Sequence, residues 1–139
     1  MFKKILLAAD GSEHSIRAAE KALAISKICN ESSIEVIYVI DGSTSKSDVL
    51  SNFDVKVITE QRKAKLRPIE EMLVKDDISH KFHLVHGEPG PTIVKFANEN
   101  QYDLVVIGSR GLNTLQEMVL GSVSHKVAKR ANCPVMIVK

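Results

Sequence analysis

A chain of 139 residues has the length of one ordinary domain and can bury one core without disulfide or metal staples. Its 19 Lys and Arg against 17 Asp and Glu leave a formal net charge of +2, which excludes a dedicated polyanion binder, whose basic excess would be larger and clustered. An apolar fraction of 44% with 26% charge excludes wholesale disorder, and 4% aromatics without Trp exclude a stacking platform for single-stranded nucleic acid.

In chain order, the first expected element is a strand, Phe2 to Ala9, whose apolar run Ile5-Leu6-Leu7 does not alternate, as suits a strand covered on both faces. The run Ile5 to Ala9 is far short of the roughly 18 residues that span a bilayer, and too short for a secretory leader, so a soluble, cytoplasmic protein is expected. Asp10-Gly11-Ser12 ends the strand, with Asp10 or Ser12 as cap of a helix from Ser12 to Cys29, patterned by Ile16, Ala19 and Leu23. A β-branched strand follows at Ile34 to Ile40, then a Ser-rich loop, Asp41 to Ser51. Phe53 to about Lys75 reads as a second helix that Pro68 kinks or re-starts.

Lys81 to Val85 is a third strand, ended by His86-Gly87-Glu88-Pro89. Pro91 to Asn100 is a third helix, with Pro at its start where a missing N–H costs little. Leu104 to Ile107 is a fourth strand, Ser122 to Arg130 a fourth helix with basic residues in its last turns, and Pro134 to Val138 a final strand. Strict alternation of strand and helix predicts a mostly parallel sheet with helices on both faces, in one domain over 1–139. Cys29 and Cys133, distant and in no CxxC pair, read as small apolar residues.

Ligands of open parallel sheets bind beyond the carboxyl ends of the strands, where chain direction reverses. Two strand ends carry suitable sequence: Ala8-Ala9-Asp10-Gly11-Ser12, and Gly108-Ser109-Arg110-Gly111, which Gly121-Ser122-Val123-Ser124 follows at a helix start. Glycines let backbone N–H groups approach a phosphate, Ser122 and Ser124 offer hydroxyls, the helix start offers orphan N–H groups, and Arg110 offers charge. The pattern is neither GxGxxG after the first strand nor a Walker A loop.

The spacing G-x2-G-x9-G-[ST], filled by Gly108, Gly111, Gly121 and Ser122, resembles the ATP-binding motif of the universal stress protein (UspA-like) family. The resemblance extends over Ile5 to Ser12, Tyr38 to Asp41, Gly87-Glu88-Pro89, Tyr102 to Gly111 and Cys133 to Val138. It implies a three-layer αβα, Rossmann-like fold of the adenine nucleotide alpha hydrolase type, with five parallel strands in order 3-2-1-4-5. It further implies an ATP-binding site in which Ala8 and Ala9 line the crevice and Asp10 faces ribose hydroxyls or a metal-bound water. Val39 would read the adenine edge, Gly108, Arg110 and Gly111 would wrap ribose and phosphate, and Gly121, Ser122, Val123 and Ser124 would hold the phosphate tail. Mg²⁺ or Mn²⁺ would come bridged by phosphate oxygens. The last strand, Pro134, Val135, Met136, Ile137 and Val138, would lie at the sheet edge and pair with its mate in a homodimer.

Other patterns carry less. His80 and His86 share one strand face about 20 Å apart and His83 points the other way, which disfavours zinc. His125 is a solvent-facing helix residue near the phosphate site and His14 an exposed residue at the crevice rim. Ser43 to Lys46 formally matches S-x-x-K but lacks its partner motifs. Arg62, Lys63, Lys65 and Arg67, followed by Glu70 and Glu71, make a solvated helix face. Three functions fit: a nucleotide-dependent stress-response switch binding ATP, a slow ATPase or autophosphorylating protein using Ser122 or Ser124 with His125 as base, and a non-catalytic dimer binding AMP, ADP or another small ligand.

Overall fold

The computed structural model describes residues 2–40, 60, 61, 63–110 and 121–139. Within them the chain runs β1 (Lys4–Ala8), α1 (Glu13–Ile28), β2 (Ser33–Ile40), α2 (Arg67–Lys75), β3 (Ser79–His86), α3 (Pro89–Glu99), β4 (Leu104–Gly108), α4 (Ser122–Arg130) and β5 (Val135–Val138). The strands form one sheet in the order β3-β2-β1-β4-β5, and all neighbours pair in parallel. The three-layer fold and the strand order are those expected.

Side-chain alternation along the strands divides the core in two. Ile5, Leu7, Ile34, Val36 and Val106 pack with Ala18, Ala22 and Leu23 of α1 and with Ile69 and Leu73 of α2. On the other face Leu6, Ala8, Ile37, Val105 and Ile107 pack with Ile93 and Ala97 of α3 and Val127 of α4. Ile5, Leu6 and Leu7 are wholly buried although they face alternate layers, which explains their unbroken apolar run. Each such side chain contributes about 1.5–3 kcal/mol of transfer free energy.

Several boundaries differ from expectation. Residues 63–65 are helical, Leu66 is a turn, and α2 starts afresh at Arg67 with Pro68 in its first turn, so Pro68 opens a helix and does not kink one. Helix α3 begins at Pro89, two residues before Pro91, because the extended Glu88 already delivers its carbonyl to the Thr92 N–H at 3.0 Å. β3 runs two residues earlier and one later than expected, because its register with β2 continues from Ser79 to His86. The expected 41–51 loop and the beginning of the second helix lie outside the described residues, as does Arg62. Among the described residues no helix is long and apolar enough to cross a membrane.

Candidate nucleotide-binding site

β1 and β4 are neighbours whose chains leave in opposite directions. β1 feeds α1 on one face of the sheet, and β4 leads to α4 on the other. Ala8 pairs with Ile107, so Ala9 and Gly108 come next at the carboxyl ends, the place where this topology puts a ligand crevice.

On the β1 side, Asp10 forms a turn: its Oδ1 accepts the Ser12 N–H at 2.9 Å. Gly11 has φ +84, a left-handed conformation that favours glycine, and a Cβ there would meet Lys65 Cβ at 2.9 Å. Ser12 caps α1 by accepting the Ser15 N–H at 3.2 Å. Ala8 and Ala9 separate: Ala8 joins the α3–α4 face, whereas Ala9 belongs to the core under α1. Val39 is half-buried on the same face as Ala8. Both belong to the apolar cluster on the α3–α4 face of the sheet.

On the β4 side, the hydrogen-bonding groups converge on Ser109. Its carbonyl accepts the Gly121 N–H at 2.8 Å and the Ser124 hydroxyl at 3.0 Å. The Ser124 hydroxyl also lies 3.0 Å from the Gly121 carbonyl, and Ser124 is only 2% exposed. Its one proton serves the protein's own carbonyls, so it has no proton left for a phosphate. Ser122 is exposed and keeps its hydroxyl for solvent or ligand. Arg110 is half-buried, and Gly111 lies outside the described residues.

The glycine at 108 is required from the other side. A Cβ on Gly108 would come within 2.8 Å of His14 Cβ and 2.9 Å of its carbonyl carbon, so the missing side chain lets α1 close onto β4. This corrects the expectation for His14: it is half-buried, with Nδ1 3.4 Å from the Ser109 hydroxyl. His125 is exposed.

Among the described helices, the start of α4 stands apart. Ser12 caps α1, the Leu66 carbonyl takes the Ile69 and Glu70 N–H groups while Pro68 deletes a donor from α2, and Pro89 and Pro91 delete two donors from α3. α4 has Gly121 at its N-cap with no side-chain cap, and its first intrahelical bond is His125 N–H to Gly121 O at 2.9 Å. The N–H groups of Ser122, Val123 and Ser124 therefore have no acceptor within the helix, the arrangement that with the positive end of the dipole suits an anion.

Residues 1–139 match the family model described as the Universal stress protein family. The chain belongs to that family. Universal stress protein YxiE of Bacillus subtilis is 35% identical, with 100% of each chain covered. The solved structure of MJ0577 from Methanocaldococcus jannaschii has a TM-score of 0.86 at 34% identity, covering 100% of this chain and 96% of that one. Structures at 20–24% identity share the fold and include family members solved with cAMP (TM-score 0.75), with dAMP from Archaeoglobus fulgidus (0.71) and with AMP from Arabidopsis thaliana (0.70). Each of these covers at least 91% of the solved chain and 99% of this universal stress protein.

Sequence reasoning missed a second polar cluster, at the opposite end of the sheet. His83 Nε2 lies 2.6 Å from Glu35 Oε1, and Lys4 Nζ lies 3.8 Å from Glu35 Oε2. Lys4 also donates to the Asn100 carbonyl at 2.7 Å and sits 4.6 Å above the Tyr102 ring. The signal was available: a carboxylate in a central strand covered on both faces must find partners. His80 turns away and meets the Ile78 carbonyl with Nδ1 at 2.8 Å. Cys133 is half-buried, and burial pushes its thiol pKa up, away from reactive thiolate character.

Proposed function

We propose that this chain binds an adenine nucleotide, ATP in the first place, in the crevice between β1 and β4, and acts as a dimeric stress-response switch. The observation that carries the reading is the uncapped start of α4 at the point where chain direction reverses. Family membership and the nucleotides held by its structural relatives support it.

In this reading the backbone N–H groups of Ser122, Val123 and Ser124 hold the phosphates, helped by the Ser122 hydroxyl, Arg110 and Gly111. Gly121 allows the close approach. Ala8 and Val39 form the floor beneath ribose and adenine, and Asp10 takes the ribose hydroxyls. Ala9 and Gly108 shape the crevice through the backbone. Mg²⁺ or Mn²⁺ would be carried in on the phosphates.

The dimer would form along β5, the edge strand next to β4, where Met136 is 37% exposed. Calorimetric titration with Mg·ATP, and with AMP for comparison, tests the nucleotide. Binding is expected, and no heat at about millimolar ligand would refute it. Sedimentation of the wild type against Met136→Lys tests the dimer, and a wild-type monomer would remove that part.

A further inference from the structure

Ser109 is the residue at which three parts of the molecule meet. Its carbonyl accepts two bonds from the start of α4, from the Gly121 N–H and the Ser124 hydroxyl. Its N–H donates to the Val138 carbonyl at 2.7 Å, on the last residue of β5. Its hydroxyl meets His14 on α1. Ser109 is buried, so water cannot replace these partners without loss. The carbonyl and the N–H belong to adjacent peptide units joined at one Cα, so a displacement of that Cα disturbs both bonds.

We infer that Ser109 couples the start of α4 to the edge strand β5, so that an anion seated on the α4 N–H groups tightens the β4–β5 pairing. This rests on the reading of α4 as the phosphate seat. A bound anion fixes the first turn of α4, and with it the two donors that hold the Ser109 carbonyl. The Ser109 N–H then stays on Val138 for a larger fraction of time. β5 has four residues, so its terminal bond is a large share of its pairing. The opposite edge, β3, has eight residues and receives no bond from Ser109. Nucleotide state is thereby felt at one edge of the sheet and not the other.

Site-resolved hydrogen exchange on the full chain, with and without Mg·ATP, tests this. Binding anywhere stabilises the whole molecule and slows global exchange, so β3 serves as the internal reference. The Ser109 amide and the amides of the β4–β5 ladder are expected to slow about fivefold or more beyond those of β3. In Ser124→Ala, compared at equal fractional occupancy, that excess should largely disappear. Equal slowing at both edges, protection confined to the Ser122–Ser124 amides, or an undiminished excess in Ser124→Ala would overturn the coupling. Unchanged exchange at Ser122–Ser124 under millimolar Mg·ATP would overturn the nucleotide reading itself, and the coupling with it.

Discussion

Glu35 and His83 meet diagonally across two paired strands, with Oε1 and Nε2 2.6 Å apart. The β2–β3 register sets Glu35 beside Lys81 and Ile37 beside His83, which leaves the two side chains on the same face. The pair is 18–19% exposed, and Phe96 covers His83 with ring centroids 4.8 Å apart. Burial pushes the Glu35 carboxyl up, but His83, the Tyr102 hydroxyl and Lys4 together hold it below its ordinary value of 4.5.

A lowered carboxyl pKa stabilises the fold at every pH above the unfolded value, and that contribution is lost as pH falls through the folded value. Glu35→Gln should therefore cost about 1–2 kcal/mol at pH 7. Wild-type stability should fall as pH drops below 4.5, and the variant's should fall less over the same interval. Urea unfolding at a series of pH values measures both. Parallel pH profiles would show that the carboxylate contributes nothing.

Tyr102 gives the opposite expectation. Its hydroxyl is buried and has no partner at hydrogen-bonding geometry, although it lies near enough to Glu35 for each to bias the other's protonation. Burial first, and the Glu35 charge second, push its pKa well above the ordinary phenol value. An unpaired buried hydroxyl costs about 1–3 kcal/mol. Tyr102→Phe keeps the ring that packs on Phe96 and under Lys4 but removes a group that holds the Glu35 carboxyl down. The gain from deleting a buried hydroxyl and the loss at Glu35 offset, so thermal unfolding near neutral pH should stay within about 1 kcal/mol of wild type. A clear loss would reveal a partner for the hydroxyl.

Ser122→Pro probes the α4 start with little disturbance to the fold. Proline suits the first helical position, and Gly121 before it is already extended at φ −61, ψ 151. The change deletes one N–H and one hydroxyl from the anion seat. Nucleotide affinity should fall about 10- to 100-fold, while unfolding free energy stays within about 0.5 kcal/mol of wild type. Calorimetry and urea unfolding separate the two effects, and full retention of affinity would move the phosphates elsewhere.

Gly108→Ala separates packing from binding. The added Cβ runs into the backbone of His14, which cannot swing aside as a side chain tip could. We expect a loss of about 1–3 kcal/mol in the absence of any nucleotide. Unchanged thermal stability would show that α1 yields easily.

The strands and helices were legible because the apolar periods are long and the punctuation is strong. Ser12 marks a helix beginning by chemistry that acts within a few residues, whereas the sequence places Pro68 inside a longer helix and starts the third helix at Pro91, two residues late. Strand order was not legible from alternation, which fits several doubly wound arrangements; it came with the family motif. Within the candidate site, the residue types were readable but their division of labour was not. Ser122 and Ser124 look alike in sequence, and only the placement of Ser109 beside Gly121 decides which hydroxyl is consumed. Likewise, nothing local in Gly108 says that His14, on another element, is what excludes its side chain. The Glu35–His83 contact spans 48 positions and depends on strand register, which no short window contains.

The contrast between the starts of α3 and α4 has a directional consequence. Both helices lie on one face of the sheet, and each begins after the carboxyl end of a strand. The prolines at 89 and 91 leave the first almost mute as a donor, and its Gly90 is buried against the Lys126 side chain. The second keeps its donors, and between the strands that feed the two helices lie β2 and β1, with apolar Val39 and Ala8. The crevice thus has a head and a tail. In the proposed site, a guest with one charged end and one flat, less polar end would enter in a single heading, and a guest charged at both ends would find a seat for only one of them.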